Sequence, residues 1–201
     1  MNQIIFASNN NGKIKEVSAI LAPLGIKIIP QSTLNIPEVE ETGLTFIENA
    51  ILKARHCSNV TGLPVLADDS GLEVHKLDGS PGIFSARYAG KNATSSCNIE
   101  KLIKEVQTIP AKQRTANFTC VMALMRFPND PTPIITHGSW DGIIVDNPTG
   151  NNGFGYDPIF FDPTFNKTAS EIEPHIKNKI SHRAKALAKL KSQLITLSIK
   201  V

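Results

Sequence analysis

The amino-acid sequence predicts an α/β fold with a mixed β-sheet. Its 201 residues are 41% hydrophobic and 19% charged, which is enough to build one large domain or two small lobes. In the first third of the chain, short apolar runs alternate with helical patterns, as in sheets of parallel strands joined by helices. Two longer runs rich in β-branched residues then follow each other across a turn, which predicts a hairpin and a second lobe built on it.

The first third of the chain alternates strands with helices. Three short apolar runs predict strands, at residues 3–7, 26–30 and 63–67. After residue 13, Ile14, Val17, Ile20 and Leu21 fall at helical spacing and predict a helix. A longer helix is predicted from Thr42 to about Asn59.

This longer helix has an identifiable start and a polar face. Thr45 and Glu48 fit the spacing of a capping box, in which two side chains bond free backbone N–H groups of the first turn. Asn49 and Lys53 lie one helical turn apart and share a face away from much of the apolar stripe.

The remaining elements are predicted in the same way. A helix is expected at 98–106, hairpin strands at 115–127 and 133–146, and a short strand at 159–161. The last helix is expected to start at Ser181. Its apolar face consists of Leu187, Leu190, Leu194 and Leu197.

Composition excludes several classes of protein. The formal charge of +3 comes without a run of Lys and Arg, so it favours small anionic ligands over nucleic acid. No stretch approaches the ~18 apolar residues of a membrane span and no signal-peptide pattern opens the chain, so we expect a cytoplasmic protein without a membrane partner. Cys57, Cys97 and Cys120 are too scattered for a disulfide framework or a zinc site, and they are expected to be small buried residues.

The stretch "SNNNGK", residues 8–13, lies between a predicted strand and a predicted helix. The free N–H groups and the dipole of a helix N-terminus favour an anion, and Lys13 adds a positive charge. The spacing is not that of a Walker A loop. The segment is interpreted as a phosphate cradle, or else as a polar connection in which Ser8 and the asparagines only cap the helix.

Asp68 and Asp69 directly follow an apolar run. Adjacent residues of a strand point to opposite faces, so the two carboxylates are expected to have different roles. One carboxylate can help to hold Mg²⁺ or take a proton from an attacking water, although the pair also fits a solvated Asx-turn. Three acids before the long helix offer a further metal ligand or a favourable charge at the helix N-terminus: Glu38, Glu40 and Glu41.

Two C-terminal stretches carry further candidate groups. "GFGYDP" places Phe154 between glycines with Asp157 nearby, which suits stacking on a purine and reading its edge, or a tight turn whose aromatics pack in the core. "KNKISHRAKAL" puts His182 and Arg183 at the start of the last helix, either for an anionic or base-edge ligand or as solvated charges. Together the stretches are typical of a magnesium-dependent nucleoside triphosphate enzyme.

Six stretches, taken in order, resemble the inosine triphosphate pyrophosphatase family, in particular its bacterial dITP/XTP pyrophosphatases. They are "SNNNGK", "ETGLTFIENAILKA", "LADDSGLEV", "PGIFSARYAG", "GFGYDPIF" and "SHRAKAL", and the resemblance spans roughly residues 3–195. It implies an elongated mixed sheet flanked by helices, with two lobes around a central cleft, in a single domain over residues 1–201. It also implies a Mg²⁺-dependent homodimer that hydrolyses ITP, dITP and XTP to monophosphate and pyrophosphate and so cleanses the nucleotide pool.

The resemblance further implies roles for individual residues. Asp69 is expected to be the proton acceptor and, with Glu41, a magnesium ligand, while Lys53 and Asp68 match positions near the phosphates. His182 and Arg183 are expected to meet the 6-keto oxygen of the base. The expected substrate-binding residues are Ser8, Asn9, Asn10, Asn11, Gly12, Lys13, Lys53, Ser70, Phe154, Gly155, Tyr156, Asp157, Lys177, His182 and Arg183.

Two alternative functions remain open at this point. A nucleotide pyrophosphatase of the septum-inhibition type shares fold and reaction but prefers other nucleotides. A nucleotide-sensing module would bind without hydrolysis. A glycosidase is disfavoured, because adjacent carboxylates on one strand seldom span the ~5 to 9.5 Å across a glycosidic bond.

Overall fold

The computed structural model describes residues 3–196 of the chain. Its strands are β1 (Gln3–Phe6), β2 (Lys27–Pro30), β3 (Val65–Val74), β4 (Thr115–Met125), β5 (Ile134–Ile144), β6 (Phe160–Asp162) and β7 (Lys167–Thr168). Its α-helices are α1 (Asn11–Leu21), α2 (Phe46–Thr61), α3 (Ser95–Val106), α4 (Pro174–Ile180) and α5 (His182–Thr196). Short 3₁₀ helices lie at Ala22–Leu24, Gln31–Leu34, His75–Leu77, Gly82–Arg87, Ala111–Gln113 and Asp157–Ile159.

Within the described residues the strands form one seven-stranded mixed sheet. The strand order is β2-β1-β3-β4-β5-β6-β7. β1 pairs in parallel with β2 and β3, whereas β6 pairs antiparallel with β5 and β7. The prediction of an α/β fold with a mixed sheet is therefore confirmed.

The predicted element types are confirmed and several boundaries are corrected. α2 begins at Phe46, because Thr45 is its N-cap and accepts from the N–H of Glu48, as the capping box requires. β3 continues to Val74, so Asp68 and Asp69 lie inside a strand and not at a turn. β4 and β5 follow each other and are neighbours in the sheet, as the predicted hairpin requires.

The last helix and the cysteines need smaller corrections. α5 begins one residue later than predicted, and Leu187, Leu190 and Leu194 on its apolar face are buried as expected. Leu197 lies outside the described residues. Cys57 and Cys120 are buried, but the expectation is wrong for Cys97, which is exposed on α3.

The chain divides into two compact units. The first contains the chain up to Asp69, the segment Cys120–Gly138 and the chain from His182 onward. The second contains Ser70–Thr119 and Ser139–Ser181. No helix in the described part of the chain combines the length and the apolar character that a membrane crossing demands.

The first unit buries both faces of its part of the sheet. On one face Ile4 and Phe6 of β1 and Leu66 of β3 belong to a cluster with apolar side chains of α1 and α5. On the other face Val65 and Ala67 of β3 pack with the apolar stripe of α2. Residues of β3 therefore alternate between the α1/α5 side and the α2 side, and this alternation positions the two aspartates that follow.

The second unit has its own apolar core. Phe118, Trp140 and Phe160 pack with ring centroids 4.5 to 6.3 Å apart. Trp140 donates its indole N–H to Asp162 at 2.7 Å. Tyr156 joins the same cluster and donates its hydroxyl to the carbonyl of Ser85 at 2.9 Å.

Candidate active site

The paired aspartates of β3 face opposite sides of the sheet. Asp68 continues the face of Leu66, toward α1 and α5, and Asp69 continues the face of Ala67, toward α2. Both residues are buried, at 1% and 5% exposure. Lys13 and Arg183 pair with Asp68, whereas Lys53 and Asn49 contact Asp69, and the expectation of different roles stays a prediction.

Asp68 is held by two cations. Its Oδ2 lies 3.1 Å from Lys13 Nζ and 3.3 Å from Arg183 Nη2, and the other end of the guanidinium pairs with Glu16. Burial disfavours the charged guanidinium, but Asp68 and Glu16 outweigh this effect and raise the pKa of Arg183. The Arg183 side chain is 2% exposed, so in this arrangement its charge serves Asp68 and Glu16 rather than an open binding surface.

Asp69 is held by one cation and one amide. Its Oδ1 accepts from Lys53 Nζ at 2.9 Å, and its Oδ2 accepts from Asn49 Nδ2 at 3.4 Å. Lys53 also donates to Glu41 Oε1 at 2.7 Å. α2 supplies both donors, because Asn49 and Lys53 are one turn apart on the face turned to β3.

Burial sets the protonation chemistry of the Asp69 side. It disfavours the charged carboxylate and raises the pKa of Asp69 above its usual range, against the opposing effects of Lys53 and Lys13. Burial also disfavours the Lys53 ammonium, but the nearby carboxylates outweigh it, Asp69 most, and raise the pKa of Lys53. The site thus pairs a firmly protonated lysine with a carboxylate whose proton affinity is increased.

The loop before α1 caps the helix and places polar side chains at its N-terminus. Asn10 is the N-cap, and its side chain accepts from the N–H of Lys13 at 3.1 Å. Ser8 accepts from the N–H of Asn10 at 3.2 Å, and Asn9 donates to Glu38 at 2.8 Å. The first turn holds no acidic residue, so the helix dipole and Lys13 give it a positive character. The capping interpretation and the anion-cradle interpretation are therefore compatible.

Glu41 and Asp69 form a donor set that fits Mg²⁺. Both carboxylates accept from the same ammonium, so their oxygens already converge on one cationic centre. Within residues 3–196 no group of three or more His, Cys, Asp or Glu side chains could hold a metal. Mg²⁺ requires only one or two protein carboxylates and completes its shell with water and phosphate oxygens.

The second unit brings together a separate group around Phe154. Gly153 and Gly155 adopt positive φ of 78° and 61°, which sets a tight turn around this residue. Asp157 Oδ2 accepts from the N–H of Phe154 at 2.7 Å and from Lys177 Nζ at 2.6 Å. The Lys177 ammonium lies 5.2 Å from the centre of the Phe154 ring. The Phe154 side chain is half-buried, an arrangement that leaves an aromatic ring beside a fixed ion pair.

Other expected site residues fall into three kinds of position. Gly12 lies in the first turn of α1 and Ser70 follows Asp69 on β3, both partly exposed. Tyr156 packs in the core, so of the two aromatics in "GFGYDP" it follows the core-packing interpretation and Phe154 does not. His182 is buried at the start of α5.

Sequence reasoning missed two residues of this site: Asn49, which donates to Asp69, and Glu16, which pairs with Arg183. Asn49 was recognised only as sharing a face with Lys53, and Glu16 was not singled out. Spacing was an available signal for Asn49, which lies four residues before Lys53 on the predicted helix, but it gave none for the pairing of Glu16 with Arg183.

The chain is similar to known proteins over nearly its whole length. The sequence pattern of the Ham1 family matches residues 4–193. A dITP/XTP pyrophosphatase of Vibrio cholerae is 53% identical over 190 residues, covering 94% of this chain and 95% of that protein. One of Xanthomonas axonopodis pv. citri is 49% identical over 199 residues, covering 99% and 100%.

A solved structure agrees with the sequence comparisons. The structure of a HAM1 protein from Coxiella burnetii is 50% identical, with a TM-score of 0.89, and the match covers 98% of this chain and 100% of that one. With the family pattern and relatives near 50% identity across both full lengths, the chain belongs to the Ham1 family.

Proposed function

We propose that this protein is a nucleoside triphosphate pyrophosphatase. It hydrolyses the non-standard purine nucleotides ITP, dITP and XTP to the monophosphate and pyrophosphate, with water attacking the α-phosphorus. The relatives that carry the name dITP/XTP pyrophosphatase support this choice of substrate. The geometry around Asp69 supports the hydrolytic chemistry.

The Asp69 carboxylate is the observation that carries the proposal. It is 5% exposed, has a raised pKa and is fixed on one oxygen by Lys53 and on the other by Asn49. A general base works best when its pKa approaches the working pH, and burial moves Asp69 in that direction. Asp69 accepts the proton of the attacking water.

The positive groups on the other face of β3 suit the phosphates. Lys13 sits in the first turn of α1, where backbone N–H groups and the helix dipole add to its charge. Asp68 fixes the Lys13 ammonium, and the Arg183–Glu16 pair fixes Asp68. Lys13 and the loop 8–12 bind the triphosphate, and Ser70 lies next to the base Asp69.

The charges of the ion-paired residues around Asp68 and Asp69 favour a divalent cofactor. In the ion pairs given above, three cations (Lys13, Lys53, Arg183) face four carboxylates (Glu16, Glu41, Asp68, Asp69), so these seven side chains offer no surplus of positive charge. A triphosphate brings several more negative charges, which disfavours binding without added positive charge. Glu41 and Asp69 would hold Mg²⁺. When bound, Mg²⁺ neutralises phosphate charge and stabilises the charge that develops on the leaving pyrophosphate.

The group around Phe154 suits the base. The ring offers a stacking face, and Lys177 and the loop Gly155–Asp157 flank it with polar groups. We assign recognition of the 6-keto oxygen to His182 and to Arg183, whose buried guanidinium also pairs with Glu16 and Asp68.

We further propose that residues 1–201 act as one pyrophosphatase domain of two lobes, as a homodimer, on the cytoplasmic nucleotide pool. Sedimentation velocity of the purified chain tests the dimer, and a species with the mass of one chain would contradict it.

The decisive experiment measures pyrophosphate release with and without Mg²⁺. ITP and XTP are compared with GTP, ATP, dTTP and UTP, for wild type, Asp69→Asn and the control Asp141→Asn, an exposed carboxylate of β5. We expect ITP and XTP to be turned over well ahead of the others, only with Mg²⁺, and Asp69→Asn to lose at least ~10²-fold in kcat while still binding ITP. The control should match wild type.

Two outcomes favour the alternatives. Preferential turnover of dTTP or UTP points to an enzyme of the septum-inhibition type. Tight ITP binding without pyrophosphate release by wild type points to a sensing module, and full activity of Asp69→Asn removes the assignment of the base.

A further inference from the structure

We propose that Asn49 is the positioning residue of this active site: it fixes the orientation of Asp69 and ties it to the chain segment that carries Glu41. The inference rests on the proposed function, because it concerns how the proposed base is held. No motif of the sequence analysis gave Asn49 a role in the site.

The first supporting observation is the position of a buried amide. Asn49 lies in the first turns of α2 and is 0% exposed. A buried amide is costly unless its donor and acceptor are both used, and Asn49 uses both for different parts of the site. Its Nδ2 donates to Asp69 Oδ2 at 3.4 Å, and its Oδ1 accepts from the backbone N–H of Gly43 at 2.8 Å.

The second observation is that the two oxygens of Asp69 accept from different donors. Lys53 takes Oδ1 and Asn49 takes Oδ2, so the carboxylate plane cannot rotate without breaking one of these bonds. The Asn49 bond is longer than an ordinary N–H···O bond, as is common for catalytic contacts before substrate binds. Asn49 therefore sets the direction in which the base presents its oxygens.

The third observation is the fit of the segment before α2. A Cβ atom at Gly43 would come within 2.6 Å of both Asn49 Oδ1 and Glu48 Cβ, so the backbone approaches the helix as closely as only glycine permits. Glu48 adds a bond to the N–H of Leu44 at 2.8 Å. The segment that starts with Glu41 is thereby fastened to α2 two residues beyond the proposed metal ligand.

Asn49 is thus a second link between the carboxylates of Glu41 and Asp69, beside Lys53. Lys53 bonds Glu41 and Asp69 directly. Asn49 bonds Asp69 directly and reaches Glu41 through Gly43. Partners of this kind, which hold a reacting group without touching substrate, typically contribute 10- to 100-fold in activity, because small displacements of a catalytic group are costly.

The chain offers a matched control for removing such an amide. Asn98 of α3 is also buried and also bridges a neighbouring segment, accepting from the N–H of Ala89 at 2.8 Å and donating to the carbonyl of Ala86 at 3.2 Å. It contacts neither aspartate. Asn98→Ala therefore removes the same kinds of bond as Asn49→Ala without touching the base.

The test measures kcat and KM for ITP with Mg²⁺ and thermal midpoints for wild type, Asn49→Ala, Asn98→Ala, Asp69→Asn and the double variant Asn49→Ala/Asp69→Asn. We expect Asn49→Ala to lower kcat by about 10- to 100-fold with KM within about threefold of wild type. Asn98→Ala should lower the midpoint by a similar amount but keep kcat. In the Asp69→Asn background the Asn49 change should have no further effect on kcat, because its contribution acts through Asp69.

Three results would overturn the inference. They are a wild-type kcat for Asn49→Ala, an equal loss of kcat in Asn98→Ala, and the same fold-loss from Asn49→Ala in the Asp69→Asn background. Failure of the proposed function looks different, since wild type would then release no pyrophosphate from ITP or Asp69→Asn would be fully active.

Discussion

Lys53 is the residue whose contacts place it at the centre of the Glu41–Asp69 pair. Its ammonium is the shared partner of both carboxylates, and its side chain is 15% exposed. Its raised pKa means that it stays protonated at neutral pH. The oxygens that would bind Mg²⁺ are therefore already satisfied by a cation of the chain, and metal and lysine must share them.

This sharing predicts the behaviour of Lys53→Met. Without the ammonium, the buried Asp69 carboxylate and the partly buried Glu41 carboxylate lose the cation that they share, so we expect a lower thermal midpoint and a loss of at least ~10²-fold in kcat. Because the ammonium that competes with the metal is then absent, Mg²⁺ should raise the midpoint of Lys53→Met more than that of wild type. Thermal scans with 0 and 10 mM Mg²⁺, run beside the exposed control Lys15→Met, check this; equal Mg²⁺ shifts in all three proteins would show that Glu41 and Asp69 do not hold the ion.

At the level of residues, the sequence predicted the features that follow from the alternation of side chains along a strand. The separation of Asp68 and Asp69 onto different faces follows from the period of a strand, and it is confirmed. The Arg183–Glu16 pair could not be predicted, because it depends on α1 and α5 meeting on the same face of the sheet. Periodicity gives the face of a helix but not the element that will cover it.

At the level of the elements, Asp130 holds the connection between β4 and β5 together by accepting hydrogen bonds from its residues. Asp130 is completely buried and accepts from the N–H groups of Arg126 and Thr132. The Arg126 guanidinium adds two bonds, at 2.8 and 2.6 Å. These bonds, above all those from the Arg126 side chain, hold the pKa of Asp130 well below its usual range.

Asp130→Asn should therefore destabilise the protein by about 1–3 kcal/mol at pH 7, because the amide cannot accept the paired guanidinium bonds of Arg126. The folded-state pKa of Asp130 is depressed, so its stabilisation is present above the unfolded value of ~3.9 and is lost as pH falls toward the folded one. Urea unfolding at pH 7 and pH 3 should show a smaller gap between wild type and variant at pH 3. A gap that stays constant would contradict the ion pair, and Asp141→Asn, at an exposed carboxylate, should show little gap at either pH.

The prediction of elements failed where polar residues continue a buried element. "DDSG" has the composition of a turn, yet β3 runs through it to Val74, because Asp68 is paired with Lys13 and Arg183 on one face and Asp69 with Lys53 on the other. Conversely Thr42 was predicted inside α2, but the residues up to Thr45 form the cap and the fastened segment before it. In the first case contacts from distant elements decided what local composition left open, and in the second case contacts within six residues did so.

For the whole molecule, the boundary between the two compact units runs through strands and not through linkers. β3 passes from one unit to the other between Asp69 and Ser70, β4 between Thr119 and Cys120, and β5 between Gly138 and Ser139. A strand that unravels in one unit frees backbone N–H and C=O groups of the same strand in the other. We therefore expect the two units to unfold together.

The chain carries a separate reporter for each unit, which makes this expectation measurable. Trp140, the single tryptophan, is 3% exposed in the core of the second unit. Cys57 and Cys120 are buried in the first unit, where burial raises their thiol pKa to about 11 and about 12. These thiols react only when the first unit opens.

In a Cys97→Ser variant, which removes the exposed thiol of α3, urea unfolding followed by Trp140 fluorescence and by thiol labelling should give the same midpoint and the same free energy of unfolding. The physical reason is that the reporters lie in different cores, while β3, β4 and β5 contribute backbone hydrogen bonds to the sheet in both units. Labelling of Cys57 and Cys120 at urea concentrations that leave Trp140 fluorescence unchanged would show that the first unit opens alone. The shared strands would then not couple the units, and the hydrolytic group around Asp69 could unfold while the group around Phe154 stays intact.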